Sequence, residues 1–163
     1  QPLSWSRERE TEFETLVVLY YTGIRRIAKH LLKQVVGSYL ARETAAVQVL
    51  HSIKTLAMEM SYAMQHGEWD YLGRLLDRHW TLNQILDPNT SNALINALLQ
   101  TLRPYIHGVK LAGAGGGGFL MLLAKGPAEA EQLRHVLDER SKDSGGAVYT
   151  WKIAKAGMRV RRG

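Results

Sequence analysis

Apolar residues change their spacing repeatedly along this chain, and each change marks the edge of an element. From Thr15 to Thr22 the run is continuous, β-branched and aromatic, and it stops at Gly23. A run this short and unbroken predicts a strand buried on both faces or nearly so. Past Gly23 the period lengthens. Ile24, Ile27, Ala28, Leu31, Leu32 and Val35 trace a helical stripe that ends at Gly37, with Arg25, Arg26, Lys29, Lys33 and Gln34 on the wet side. A longer helix over about 41–65 gathers Ala46, Val49, Leu50, Ile53, Leu56, Ala57, Met60 and Met64 on one side, and Gly67 interrupts it. The next runs from Glu68 or Trp69 to Leu86 and carries Leu72, Leu75, Leu76, His79, Leu82 and Leu86. Asp87-Pro88-Asn89 stops it, because proline disfavours helical backbone in the residue before it. A short helix capped by Thr90 or Ser91 then carries Leu94, Leu98 and Leu102 as far as Pro104.

The last third of the chain reads differently. Val109–Ala112 is a short strand, Gly113–Gly118 a glycine run and Phe119–Ala124 a second strand. Gly126-Pro127 opens a helix striped by Ala130, Leu133, Val136 and Leu137. Gly145-Gly146 ends it, and Ala147–Ile153 is a final strand with one wet face. A glycine turn this tight makes its flanking strands antiparallel neighbours. The element order therefore predicts an α+β fold: a four-stranded, mostly antiparallel sheet with helices packed on one face.

Composition narrows the classes without choosing among them. A chain of 163 residues with 45% apolar content suits one domain with a real core. The absence of Cys excludes disulfides and thiolate zinc sites and fits a reducing, cytoplasmic location. No apolar run reaches the 18 residues a membrane span requires, so no membrane partner is expected. The net charge of +6 is partly concentrated in Met158–Gly163, which reads as a solvated tail; no nucleic-acid partner is expected from it. The start lacks the apolar core of a signal peptide and an initiating Met, so a processed chain or a fragment is expected. Residues 1–12 read as an extension or linker, and 13–163 as the domain. The six His show no metal-binding spacing, and His79, on an apolar stripe, is expected to be a hydrogen-bonded core residue.

The glycine run holds the chemistry. Five of the six residues Gly113, Ala114, Gly115, Gly116, Gly117 and Gly118 are glycine, where a hairpin turn needs one or two. The surplus costs about 0.5–1 kcal/mol per ordered residue relative to Ala. Close approach of bare backbone to an anion or to another segment would repay that cost. A G-x-G-x-x-G pattern is present, but an apolar strand follows it where a dinucleotide fold requires a helix, and no Gly-Lys-Ser/Thr ends it as a Walker loop would. A hairpin with no ligand remains open as the plainer reading.

Lys110-Leu111-Ala112-Gly113-Ala114-Gly115-Gly116-Gly117-Gly118-Phe119 closely resembles the third conserved motif of the GHMP kinases. Within that family the chain looks most like the C-terminal domain of L-fucokinases, including those fused to a fucose-1-phosphate guanylyltransferase. The likeness includes Tyr21-Thr22-Gly23 with Arg25, Trp80-x-Leu82-x-Gln84-x-Leu86-Asp87-Pro88 with Ser91-Asn92, Gly108, and Ala156-Gly157-Met158-Arg159-Val160. Heptose 7-phosphate kinases share part of it. The resemblance implies a ferredoxin-like C-terminal domain whose glycine loop sits beside nucleotide phosphates. ATP and Mg2+ would be bound mainly by an N-terminal kinase domain, which also supplies the catalytic Asp. The serine-rich phosphate loop of that domain has no counterpart here, so this chain by itself should be inactive and should pair with that domain and a small sugar. A non-catalytic module that binds a small anion or metabolite is the competing class.

Beside the loop, Lys110 is a candidate cation for the phosphate side, or simply a wet lysine at a strand end. Asp87, Ser91 and Asn92 are candidate substrate contacts, or caps for the helix that follows.

Overall fold

The computed structural model describes residues 5–24, 29–113 and 116–154. Residues 7–16, expected as linker running into a strand, form helix α1 (Arg7–Leu16). Ser6 caps it by accepting from the Arg9 N–H at 3.3 Å, and Glu8 and Glu10 occupy its first turn, where acidic groups offset the helix dipole. Phe13 and Leu16 are its buried residues, spaced one turn apart. Strand β1 (Val17–Tyr21) is correspondingly shorter than the apolar run suggested.

Helix α2 (Lys29–Leu40) passes through Gly37 instead of ending there. An interior glycine weakens a helix by about 1 kcal/mol without breaking it. The start of that stripe, Arg25 to Ala28, lies outside the described residues. Helices α3 (Thr44–His66) and α4 (Trp69–Leu86) match the expected pair, joined by Gly67 at φ +71°. A 3-10 turn (Pro88–Thr90) leads to α5 (Ala93–Leu102), whose cap is Asn92, a residue later than expected. Ile95, Leu98, Leu99 and Leu102 face inward from α5, and Leu94 is 63% exposed. Strand β2 (Ile106–Leu111) starts earlier than predicted, with a bulge between Ile106 and Gly108. Strand β3 (Phe119–Ala124) and helix α6 (Pro127–Ser144) follow as expected. Strand β4 ends at Tyr149 instead of Ile153. Beyond Tyr149 the chain turns to other partners: the Trp151 indole N–H donates to the Val17 carbonyl (3.1 Å), and the Ile153 N–H to the Glu14 carboxylate (2.9 Å).

The sheet order is β2-β3-β1-β4, and every pairing is antiparallel. Alternation along the strands sends side chains to two cores. Val18, Tyr20, Val109, Leu120 and Leu122 join Ile95, Leu98, Leu102, Leu133 and Leu137 of α5 and α6. Val17 and Leu123 join Leu56 and Ala63 of α3 and Trp69, Leu72, Leu75 and Leu76 of α4 on the other face. The expected four-stranded α+β sheet thus carries helices on α5–α6's side and a second set on the opposite face. The unbroken apolar runs of β1 and β3 are the physical reason, since a strand covered on both faces cannot alternate with polar residues.

Helix α4 lies on β2 with almost no separation. A Cβ placed on Gly108 would sit 2.0 Å from the Gly73 carbonyl oxygen, and one on Gly73 would sit 2.4 Å from His107 Cβ. The same helix satisfies a donor of this edge strand: the Val109 N–H donates to Asp77 Oδ1 at 3.1 Å, while Asp77 Oδ2 pairs with Arg103.

Candidate functional site: the glycine loop and its fastenings

The loop between β2 and β3 is built in two parts. Its outer part is open: Ala112 and Gly113 are exposed, Gly113 has φ +74°, and a Cβ there would meet nothing within 4 Å. Its inner part is stitched to the protein. The Gly116 N–H donates to the Thr90 carbonyl (2.6 Å), and the Asn92 side-chain amide donates to the Gly116 carbonyl (3.1 Å). The Gly118 N–H donates to the Ile24 carbonyl (3.0 Å), and its own carbonyl accepts from both the N–H and the hydroxyl of Thr22 (2.9 and 3.0 Å). Gly116 and Gly118 have φ +74° and +83°, which side chains with a Cβ rarely adopt. At Gly117 a Cβ would lie 2.6 Å from the Ile24 carbonyl oxygen. The glycines are therefore needed first for contact between backbones. The amides of Gly116 and Gly118 are engaged internally, so an anion would meet the outer arc. Ala114 and Gly115 lie outside the described residues.

The residues expected as substrate contacts turn out to hold the loop's foundation. Asp87 is 1% exposed, and its Oδ1 accepts from the N–H and side-chain amide of Asn89 (both 2.8 Å). Asn92 caps α5 through the Ile95 N–H (2.9 Å), and the Ser91 hydroxyl reaches Asn96 Oδ1 (2.6 Å). The capping reading accounts for these contacts. Thr90, whose carbonyl anchors Gly116, keeps a buried hydroxyl with no hydrogen-bond partner among the described residues. In the sequence Thr90 reads as a helix cap and Ile24 as the start of a helical stripe, and apart from the Tyr21-Thr22-Gly23 likeness nothing marks Thr22, Ile24 or Thr90 as fastening the loop.

Lys110 leaves the loop region for α4, where its ammonium lies 3.3 Å from both ring nitrogens of His79. Burial, and then the Lys110 charge, push the His79 pKa down to about 4; burial also lowers that of Lys110. His79 is thus neutral in the folded protein while its unfolded counterpart takes up a proton near the ordinary value. Stability should fall as pH drops from about 6.5 toward about 4, then level off. Replacing His79 with Gln should flatten that slope in thermal unfolding measured across pH.

Among the described residues no group of three His, Asp or Glu side chains could hold a metal ion, and no helix is long and apolar enough to cross a membrane. The site is thus a loop of bare backbone, fastened at one end and open at the other. The family model for the C-terminal part of GHMP kinases matches residues 60–143. The chain belongs to the GHMP kinases. Its matched segment runs from late α3 through the glycine loop to the end of α6.

Similar proteins include the L-fucokinase/L-fucose-1-P guanylyltransferase of Bacteroides fragilis, 33% identical over 93% of this chain and 16% of that protein. The bifunctional fucokinase/GDP-fucose pyrophosphorylase of Arabidopsis thaliana is 36% identical over 93% of this chain and 14% of that protein. A D-glycero-alpha-D-manno-heptose 7-phosphate kinase of Campylobacter jejuni is 24% identical over 93% of this chain and 43% of its own. The chain thus spans less than half the length of each of these relatives. Among solved structures, L. major mevalonate kinase in complex with R-mevalonate superimposes with a TM-score of 0.69 over 82% of this chain and 40% of that one, at 21% identity. That agreement is one of fold. The GHMP kinase C-terminal fold expected from the glycine motif is the fold found.

Proposed function

We propose that this chain is the C-terminal domain of an ATP-dependent sugar kinase of fucokinase type, which phosphorylates the anomeric hydroxyl of L-fucose when joined to its N-terminal domain. The observation that carries the reading is the divided glycine loop. Phosphoryl transfer depends mainly on positioning and on neutralising charge. An outer arc with no side chain at Gly113 lets a phosphate chain come close, and the fastenings through Thr22, Ile24, Thr90 and Asn92 keep that arc from yielding. Fixed backbone dipoles of this kind need no reorganisation during reaction.

ATP would meet the outer arc, and the other half of the kinase would hold most of the nucleotide. Mg2+, when bound, would neutralise phosphate charge, held mainly by that other half and the nucleotide. The proton of the sugar hydroxyl would also leave to a base from the N-terminal domain. The 163-residue chain by itself is then inactive, and the working kinase belongs in the cytoplasm, where ATP is supplied.

Identities of 33% and 36% to the two fucokinase-containing proteins, against 24% to the heptose 7-phosphate kinase, favour fucose. The test is an ATP-consumption assay of the full-length protein with L-fucose, D-glycero-D-manno-heptose 7-phosphate and galactose. The highest kcat/KM is expected for L-fucose. A preference for the heptose phosphate would assign the protein to that relative's reaction, and no turnover of any sugar would favour the non-catalytic, anion-binding class.

A further inference from the structure

Lys110 lies on the face of β2 that α4 covers, opposite Met121 of β3 and three residues before Gly113. It is half-buried, and its ammonium rests against the imidazole of His79. The ammonium is 3.3 Å from both Nδ1 and Nε2. Both nitrogens flank Cε1, and an ammonium equally far from each lies off the lone-pair direction of either, which makes a weak contact. No carboxylate among the described residues forms an ion pair with it. An ammonium has three donors, and a partly desolvated one without a counter-charge is costly.

One turn along α4, the Asn83 side-chain Nδ2 lies 3.2 Å from His79 Nδ1. An amide NH2 can only donate, so Nδ1 accepts and the ring proton belongs on Nε2. Asn83 thereby positions His79 as a neutral donor. A strand lysine and a helix histidine, brought together by the close seating of α4 on β2, present an ammonium and an Nε2–H that no carboxylate among the described residues receives.

We propose that Lys110 and His79, oriented by Asn83, form a binding site for a phosphate group at the α4–β2 seam. A tetrahedral anion offers enough oxygens to accept from the ammonium and from Nε2–H together, and it supplies the charge the cluster lacks. The proposal rests on the kinase reading for the source of its ligand, which is either the phosphate chain of the nucleotide or the phosphate ester of a phosphorylated sugar.

The experiment uses the full-length protein, with inorganic tripolyphosphate as probe in calorimetric titration. Lys110→Met should weaken its binding by about tenfold or more, the range expected on losing a charge-assisted hydrogen bond. Lys110→Arg should hold affinity within about threefold, and Asn83→Ala should weaken binding through loss of His79 orientation. The thermal midpoint of Lys110→Met should equal or exceed that of the parent protein, because a desolvated charge has been removed. Unchanged tripolyphosphate affinity in Lys110→Met would overturn the site, as would a lowered thermal midpoint with Lys110→Arg no better than Lys110→Met, the pattern of a purely structural lysine. Kinetics separate the two sources: a raised KM for ATP in Lys110→Met assigns the nucleotide, and a raised KM confined to heptose 7-phosphate assigns the sugar phosphate. Lys110-dependent tripolyphosphate binding in a protein that phosphorylates no sugar would keep the site and discard the kinase reading. Active phosphorylation with Lys110-independent binding would do the reverse.

Discussion

Full-length protein carrying Gly116→Val is expected to lose at least ~100-fold in kcat while keeping its fold, the loss that misplacing a catalytic element by about an ångström produces. Gly116 is buried at φ +74°, where a β-branched residue is strained, and both of its backbone polar groups are in use. Its N–H meets the Thr90 carbonyl at 2.6 Å and its carbonyl accepts from Asn92 at 3.1 Å. Valine would have to rotate the peptide out of both bonds, and the outer arc would move with it. The control is Gly113→Asn. Gly113 has the same φ but open space around it, and Asn tolerates the left-handed region, so this variant should fold normally and keep its thermal midpoint, while its KM for ATP rises because the added side chain enters the arc the phosphates approach. Initial-rate assays on L-fucose and ATP, with circular dichroism on both variants, decide the matter. Parent-like kcat in Gly116→Val would remove the glycine loop from the reaction.

The second large effect is on stability. Gly108→Val should destabilise the domain by at least ~3 kcal/mol, the upper range for overpacking, because the obstacle is backbone and cannot swing aside. Its Cβ would lie 2.0 Å from the Gly73 carbonyl oxygen. Separating α4 from β2 to make room would open the second core, where Leu72, Leu75 and Leu76 meet Leu123, and would break the Asp77 contact to Val109. Scanning calorimetry of the full-length protein should show this domain's transition lowered or lost. Gly37→Ala is the contrast: a Cβ there meets nothing within 4 Å, and an exposed helix interior should gain up to about 1 kcal/mol. An undisturbed transition in Gly108→Val would mean that α4 does not rest on β2 as described.

Much of this was legible in the residue pattern. The helices α3, α4 and α6 and strand β3 stand within a few residues of where apolar spacing and the Gly and Pro stops placed them. Those signals are local, since periodicity and punctuation act over a single element. Errors gathered where a distant partner decided the outcome. Residues 7–12 read as linker, and Thr15 and Leu16 as strand, because α1 has just Phe13 and Leu16 to bury and Phe13 packs against Trp69 and Trp151 across the fold. Strand β4 was drawn too long because nothing near Thr150 reveals that the Val17 carbonyl takes the Trp151 indole in place of a ladder bond.

The candidate site divides along the same line. The order of strands and helices, the antiparallel hairpin and the need for bare backbone between Gly113 and Gly118 were all determined by the sequence alone, because each follows from near-neighbour chemistry. Tertiary structure decided which loop amides are spent on Thr90 and Ile24, that the Asn92 side chain reaches the Gly116 carbonyl, and that Lys110 meets His79 across a seam closed by Gly73 and Gly108. Those pairings join residues 24 to 94 positions apart, and no local preference of the chain encodes which distant partner a freed donor will find.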